Sequence, residues 1–431
     1  MNHLWTRVLT VVGSLAALCC QAQPFTIKPD HTNGVYQVGD TVNWQIKAMD
    51  RAAGDVLDYS IKSGGLKETA GGTIHLTNGL ATLQSTFSAP GTLLASIRWG
   101  ASPRTRAVAG AVAAPFQIEP STNCPEDFDA FWQEKVKQLE NVPENAELVS
   151  KPSGKDGVDY WEITMNNIHG HIHGQLARPH DGEKFPALLI VQWAGVYALQ
   201  TNWVTDRAAA GWLVLNIEAQ DLPIHEAEAF YRDQFNGPLK NYWNIGNDDR
   251  DKSYFLAMYL SCYRAADYLT ERPDWNGKTL AVTGDSQGGL QTLMIAGLHP
   301  KITAAMALVP AGCDMLGPQV GRRGGWPQWY DNVDGKDAGA VHNASRYFDV
   351  VNFAARIKCP ALVGLGLQDE TCPPAGVLAA FNQIKAPMEA VLLPLSGHQD
   401  SHGSQAAFRE RRDKAWLPAL HDGLEAPVIA P

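Results

Sequence analysis

The 431-residue sequence predicts a mostly parallel α/β sheet with helices on both faces, preceded by an all-β region. Three observations carry that prediction. Continuous apolar runs alternate with helical patterns from Tyr160 onward. Turn-punctuated, alternating strands fill the first hundred or so residues instead. A strand, a sharp turn and a helix meet at Gly284-Asp285-Ser286-Gln287-Gly288.

The chain opens on a targeting segment. Arg7 supplies a positive end, and Val8 to Leu18 is an apolar run too short to span a bilayer comfortably. Cys20-Gln21-Ala22 resembles a small-residue cleavage site, so residues 1–22 read as a signal peptide. The mature chain is then secreted or periplasmic and free of the membrane. Two alternatives stay open. One is a lipid anchor on Cys19 or Cys20, although the residues before neither make a good lipobox. The other is an uncleaved anchor.

Residues 23–113 read as an immunoglobulin-like β-sandwich. Val42, Trp44, Ile46 and Ala48 alternate with polar residues, the period of a half-buried strand. Thr73 to Leu76 and Ala81 to Leu83 flank Asn78-Gly79, a hairpin signal. Nothing in this region suggests catalysis. A spacer or packing role is expected, with glycan binding or oligomer contacts as alternatives. Ala107 to Pro115, rich in Ala and Val, reads as the junction.

Residues 120–421 form the second domain. Pro125-Glu126-Asp127 opens a helix, because proline suits the first turn and the acids complement the helix dipole. Phe128, Phe131, Trp132, Val136 and Leu139 make its apolar stripe. Ala187 to Val191 and Trp212 to Ile217 are continuous apolar runs, as expected of strands covered on both faces. A long helix follows from about Tyr254 to Leu269. Further strands are expected at Leu280–Thr283, Ala305–Val309, Ala361–Leu367 and Ala390–Leu393.

Composition narrows the partners. Hydrophobic residues make up 45% of the chain, enough for a large core, and the formal net charge is −10. No basic stretch is long enough to track phosphates, so nucleic acid is not an expected partner. Beyond the signal lie Cys124, Cys262, Cys313, Cys359 and Cys372, an odd and sparse set that is no disulfide framework but leaves room for one pair. No spacing suggests a zinc site, so neither a metal nor a cofactor is expected.

Gly284 to Gly288 matches G-x-S-x-G, which presents a serine from a strand-to-helix turn. Asp369 follows the Ala361–Leu367 run, and His398 follows the Ala390–Leu393 run. The order Ser, Asp, His is that of the α/β hydrolases. The chemistry needs all three types. A hydroxyl is a poor nucleophile until a base takes its proton, imidazole can do so near neutral pH, and a carboxylate fixes the imidazole tautomer. Glu370 and His402 are rivals for the acid and the base. Asp369 is the better placed, and Gly397 favours a tight loop at His398. Backbone amides should bind the oxyanion. One belongs to Gln287, the other to the Gln192–Tyr197 loop. Trp193, Trp326 and Trp329 are candidates for sugar stacking, with ordinary packing as the alternative.

At these residues the chain resembles the acetyl xylan esterase / cephalosporin-C deacetylase family of carbohydrate esterases. Gly-Asp-Ser-Gln-Gly-Gly (284–289) is close to its elbow, Phe348 to Pro360 to its lead-in to the acid strand, and Asp369 with Cys372-Pro373-Pro374 to its acid loop. Gly397-His398 and Pro125 to Trp132 are similar to its histidine loop and opening helix. The resemblance covers about 120 to 420. It implies metal-free removal of acetyl groups from xylan, xylo-oligosaccharides or other small acetyl esters. It carries the triad roles onto Ser286, Asp369 and His398, and the second oxyanion amide onto Val196. It also implies a homo-oligomer, since members commonly form hexamers. The chain departs from the family where Glu218-Ala219-Gln220-Asp221 replaces an Arg-Gly-Gln stretch, and where the usual tyrosine is absent at 196. Rival expectations are a peptidase or acyltransferase using the same triad, an esterase for bulkier acyl groups with Ala311 to Asn343 as a lid or wall, and an inactive glycan-binding protein.

Overall fold

The structure, a computed structural model, describes residues 24–49, 55–100 and 105–430; the expected signal peptide lies outside them. The N-terminal part is β-rich and holds two sheets. Strands β1 (Phe25–Lys28), β3 (Thr41–Ala48) and β6 (Leu80–Thr86) form one, in the order β1-β3-β6. Strands β2 (Val35–Tyr36), β4 (Val56–Ser63), β5 (Lys67–His75), β7 (Gly91–Arg98) and β8 (Arg106–Ala113) form the other, in the order β2-β8-β7-β4-β5. Alternation does the work in β3: Val42, Trp44 and Ile46 are buried in a core shared with Leu57, Ile61, Leu93 and Ala109 of the second sheet.

Two sequence expectations need correction here. Asn78 and Gly79 do make a turn, both at positive φ, with Thr77 bridged to Leu80. The flanking strands then part: β5 pairs with β4, and β6 with β3. They part because Ile74 and Leu83 cover one core from opposite sheets. The Ala/Val run, read as the junction, is itself regular structure. Residues 106–113 are strand β8, paired along its length with β7. Small side chains suit it because it is pressed against the second region. A Cβ on Gly110 would stand 1.9 Å from the Leu367 carbonyl oxygen. Beside it, Arg106 binds Glu370 through both guanidinium nitrogens at 2.5 and 3.0 Å. The Arg323 amide donates to the Gly64 carbonyl at 2.8 Å.

The second region is built on a nine-stranded sheet. Its strands are β9 (Glu147–Ser150), β10 (Val158–Asn166), β11 (His171–Pro179), β12 (Phe185–Ile190), β13 (Leu213–Ile217), β14 (Trp275–Asp285), β15 (Ala304–Leu308), β16 (Ala361–Gly366) and β17 (Met388–Leu393). They lie in the order β17-β16-β15-β14-β12-β13-β11-β10-β9. β12 to β17 run parallel, while β11, β10 and β9 add antiparallel strands at one side. The apolar runs are continuous because both faces are covered. Leu189, Val282 and Ala305 pack with Phe131, Trp132, Phe255, Tyr259 and Leu293 on one side. Leu188, Ala281 and Met306 pack with Val204, Ala208, Phe408 and Trp416 on the other. The long helix is Tyr254–Glu271, started by Ser253, whose hydroxyl accepts from the Phe255 amide. The strand order reverses beside β12, and sheets of this kind place their ligands at the carboxyl ends of the strands next to such a reversal.

Candidate active site

Ser286 sits between β14 and the helix Gln287–Leu298 with φ 57° and ψ −118°, a conformation costly for any residue with a Cβ. The surrounding glycines make the turn feasible. A Cβ on Gly284 would lie 2.6 Å from backbone atoms of Gly288, and one on Gly288 would lie 2.4 Å from the Val191 carbonyl. Gly289 similarly admits Pro310. The Ser286 amide donates to the Leu308 carbonyl at 2.9 Å, so the neighbouring strand holds the turn.

Asp369 and His398 leave β16 and β17 on adjacent loops. A Cβ on Gly366 would lie 2.5 Å from the Ser396 carbonyl, so glycine lets the histidine loop close onto the acid strand. The Gln368 amide donates to that carbonyl at 3.0 Å, and the Gln405 amide group donates to the His398 carbonyl at 3.1 Å. The three side chains meet. Ser286 Oγ lies 2.9 Å from His398 Nε2, and His398 Nδ1 lies 2.8 Å from Asp369 Oδ2. The Asp369 carboxyl is fully enclosed, and its other oxygen accepts the Thr371 and Cys372 amides, both at 2.8 Å. Those donors compensate a buried negative charge that burial alone would disfavour. Glu370 is committed to Arg106, and His402 is exposed on a separate turn, so neither rival joins the group. Cys372 lies close by, but burial pushes its thiol well above the usual range and keeps it neutral.

The Gln192–Tyr197 loop faces the start of the serine helix. Gln287 is buried and leads that helix, so its amide is one that helix geometry leaves without an intrahelical acceptor. Val196 is half-buried in the loop. Several side chains fix the loop, a task the sequence assigned to none of them. The Tyr242 hydroxyl donates to Gln287 Oε1 at 2.6 Å and accepts the Gly195 amide at 3.3 Å. Gln291 donates to the Gln192 carbonyl at 3.0 Å, and Gln220 to the Gly195 carbonyl at 2.9 Å. Tyr242 carries no local signal, since it lies in a short turn far along the chain. Glu218 stands behind this loop, fully buried with Oε2 unpaired, and burial pushes its carboxyl up to about 8.

The tryptophans separate. Trp193 is 42% exposed and stacks on Tyr197 with ring centroids 5.1 Å apart. Trp326 is half-buried against Trp243 and Phe255. Trp329 is not a stacking residue: it is fully buried, packs on Phe255 and donates its indole N–H to the Trp243 carbonyl. That satisfied, enclosed ring anchors the Ala311–Asn343 segment to Trp243 and Phe255. The Asp349 carboxylate accepts the Asp314 and Met315 amides in the same segment. All five described cysteines are free, so the one pair left open by the sequence is absent among them. No helix among the described residues is long and apolar enough to cross a membrane.

The family model for acetyl xylan esterase (AXE1) matches residues 117–418. The acetyl esterase Axe7A of Xylanibacter ruminicola is 31% identical over 417 residues, spanning 92% of this chain and 93% of its own. An acetyl xylan esterase from Paenibacillus sp. R4 superposes with a TM-score of 0.59 at 24% identity, covering 70% of this chain and 98% of its own. Acetyl xylan esterase 1 from Thermoanaerobacterium sp. JW/SL YS485 gives 0.58 at 22% identity, with 69% and 96% covered. These two share the α/β-hydrolase fold of the second region.

Proposed function

The chain belongs to the acetyl xylan esterase family and is a carboxylic ester hydrolase, and from that premise we propose that it removes acetyl groups from xylan, xylo-oligosaccharides or related small acetyl esters. The observation that carries this reading is the unbroken run of contacts from Ser286 Oγ through His398 to the enclosed Asp369. Ser286 attacks the acetyl carbonyl while His398 Nε2 takes its proton. Asp369 holds Nδ1–H and stabilises the imidazolium. The amides of Gln287 and Val196 bind the oxyanion, where a single donor is worth about 3–4 kcal/mol of transition-state stabilisation. His398 then protonates the sugar oxygen as it leaves, and activates the water that releases acetate from Ser286.

Trp193 is the exposed aromatic best placed in this scheme to stack on a sugar. The β-rich region is an immunoglobulin-like domain spanning residues 23–113, the catalytic domain spans 120–421, and residues 1–22 direct secretion. The protomers assemble into a homo-oligomer. The decisive experiment is acetate release from acetylated xylan by the parent and by Ser286→Ala, with folding checked by melting. Loss of about 10⁴-fold or more in kcat is expected. Near-normal turnover by the alanine variant would sink the assignment. A series of esters of increasing acyl length separates this reading from a bulky-acyl esterase, since each methylene is worth about 1–3 kcal/mol in a fitted pocket.

A further inference from the structure

Outside the Ser286, His398 and Asp369 group, His171, His173 and Asp221 meet just past the end of β13. The two histidines open β11, where strand alternation puts residues 171 and 173 on one face and sends Ile172 into the core. β11 runs antiparallel to β13 with Gly174 opposite Ile217, so the chain leaving β13 passes the start of β11 and brings Asp221 to both rings. Asp221 Oδ1 lies 3.0 Å from His173 Nε2 and 3.8 Å from His171 Nδ1, and the three ligand atoms all lie within 4.8 Å of one another. Zinc bonds of about 2.0–2.1 Å put tetrahedral ligand atoms about 3.3 Å apart. The two measured spacings straddle that value, and the third pair lies within 4.8 Å.

Two further features suit an ion. The turn before β11 is shaped around the carboxylate: Gly170 has φ 88°, and a Cβ there would stand 2.1 Å from Asp221 Oδ2. The His171 amide donates to that same oxygen at 3.0 Å, which leaves Oδ1 for the rings. The group is also open, with the His171 and Asp221 side chains 54% and 44% exposed, so an ion can enter and keep a water. Two imidazoles and one carboxylate select zinc-like ions over calcium or magnesium, which want oxygen donors.

We propose that His171, His173 and Asp221 bind one divalent transition-metal ion of the zinc class, separate from the serine centre. The ion ties the turn before β11 to the segment after β13. Gln220 of that segment donates to the Gly195 carbonyl, so the tie braces the loop carrying Val196. The ligand set itself does not depend on the esterase reading; only the bracing role does.

The test is calorimetric titration of Zn²⁺ alone into the chelator-treated full chain. One equivalent should bind and raise the melting temperature. His173→Ala and Asp221→Asn should each weaken binding at least about tenfold, as loss of merely supporting groups already costs 10–100-fold. Both variants should melt like the metal-free parent, which removes misfolding as an explanation. His398, Asp369 and Cys372 also bring ligand atoms within 4.8 Å of one another, so the titration is repeated on His398→Ala, where the equivalent should persist. Absence of a stoichiometric equivalent overturns the proposal. So does binding that survives both His173→Ala and Asp221→Asn, or that disappears in His398→Ala.

Discussion

Replacing Arg106 with alanine asks whether the N-terminal region helps to hold the acid of the triad. Arg106 grips Glu370 through two nitrogens, and Glu370 is the residue next to Asp369. Burial pushes the Glu370 carboxyl up, yet the Arg106 hydrogen bonds and charge outweigh it and hold the group below its usual range. The two side chains are 30% and 33% exposed, so solvent screens part of the attraction. Exposed pairs contribute up to about 1 kcal/mol, and a half-enclosed bidentate pair about 1–2 kcal/mol. If all of that anchoring restrains the acid loop, its loss multiplies displaced loop conformations about 5–30-fold, which is the ceiling on the fall in kcat. Since Thr371 and Cys372 amides still orient Asp369, a drop of about three- to tenfold is expected, with KM on p-nitrophenyl acetate nearly unchanged. The double reversal Arg106→Glu with Glu370→Arg should recover part of kcat. A variant that melts earlier but keeps full kcat would refute the argument, because the contact would then be structural only.

Other perturbations test other joints. Gly110→Ala drives a methyl group toward the Leu367 carbonyl and should destabilise the chain by about 3 kcal/mol, measurable by urea unfolding. Asp274 is buried, which raises its pKa, but Arg272 and Arg178 more than offset this and hold it low. A folded-state pKa below the unfolded value means stability present above the unfolded pKa and lost as pH falls through the folded one. Asp274→Asn should therefore cost about 3 kcal/mol near neutrality, and the gap to the parent should shrink below about pH 4 in unfolding curves taken across pH. Trp193→Ala should raise KM for acetylated xylan several-fold, by about 1 kcal/mol of lost stacking, while KM for p-nitrophenyl acetate stays put; equal effects on both substrates would remove Trp193 from sugar binding.

The legible parts of the chain are those whose physics is local. A strand covered on both faces must be apolar throughout, so Ala187 to Val191 and Trp212 to Ile217 announced β12 and β13. The serine turn was legible because crowding demands glycine within a few residues. Pairing between sheets is not local. Asn78-Gly79 specifies a turn, but which strand β6 meets depends on Trp44 and its neighbours in β3, and no residue near the turn encodes that. The small residues of β8 read as a junction because their reason, the backbone of residue 367 just past β16, lies far along the chain. Trp329 illustrates the same limit: exposure of a tryptophan is decided by Phe255 and Phe348, not by its flanks.

The proposed triad is therefore held by two kinds of restraint. Ser286 is fixed by its own turn and the strand beside it, through the crowding at Gly284 and Gly288 and the hydrogen bond to the Leu308 carbonyl. Asp369 and His398 are held from outside, by each other's loops and, through the Arg106–Glu370 pair, by the N-terminal region. Substitutions within the elbow should act on the nucleophile directly. Substitutions in β8 or at Arg106 should act on the carboxylate's position while leaving the serine undisturbed. Irreversible labelling of Ser286 by an activated organophosphate does not separate the two, since it needs His398 as base. The split between kcat and KM does: kcat on p-nitrophenyl acetate should fall in Arg106→Ala with KM held, and both should stay in place in a variant that only loosens the fold.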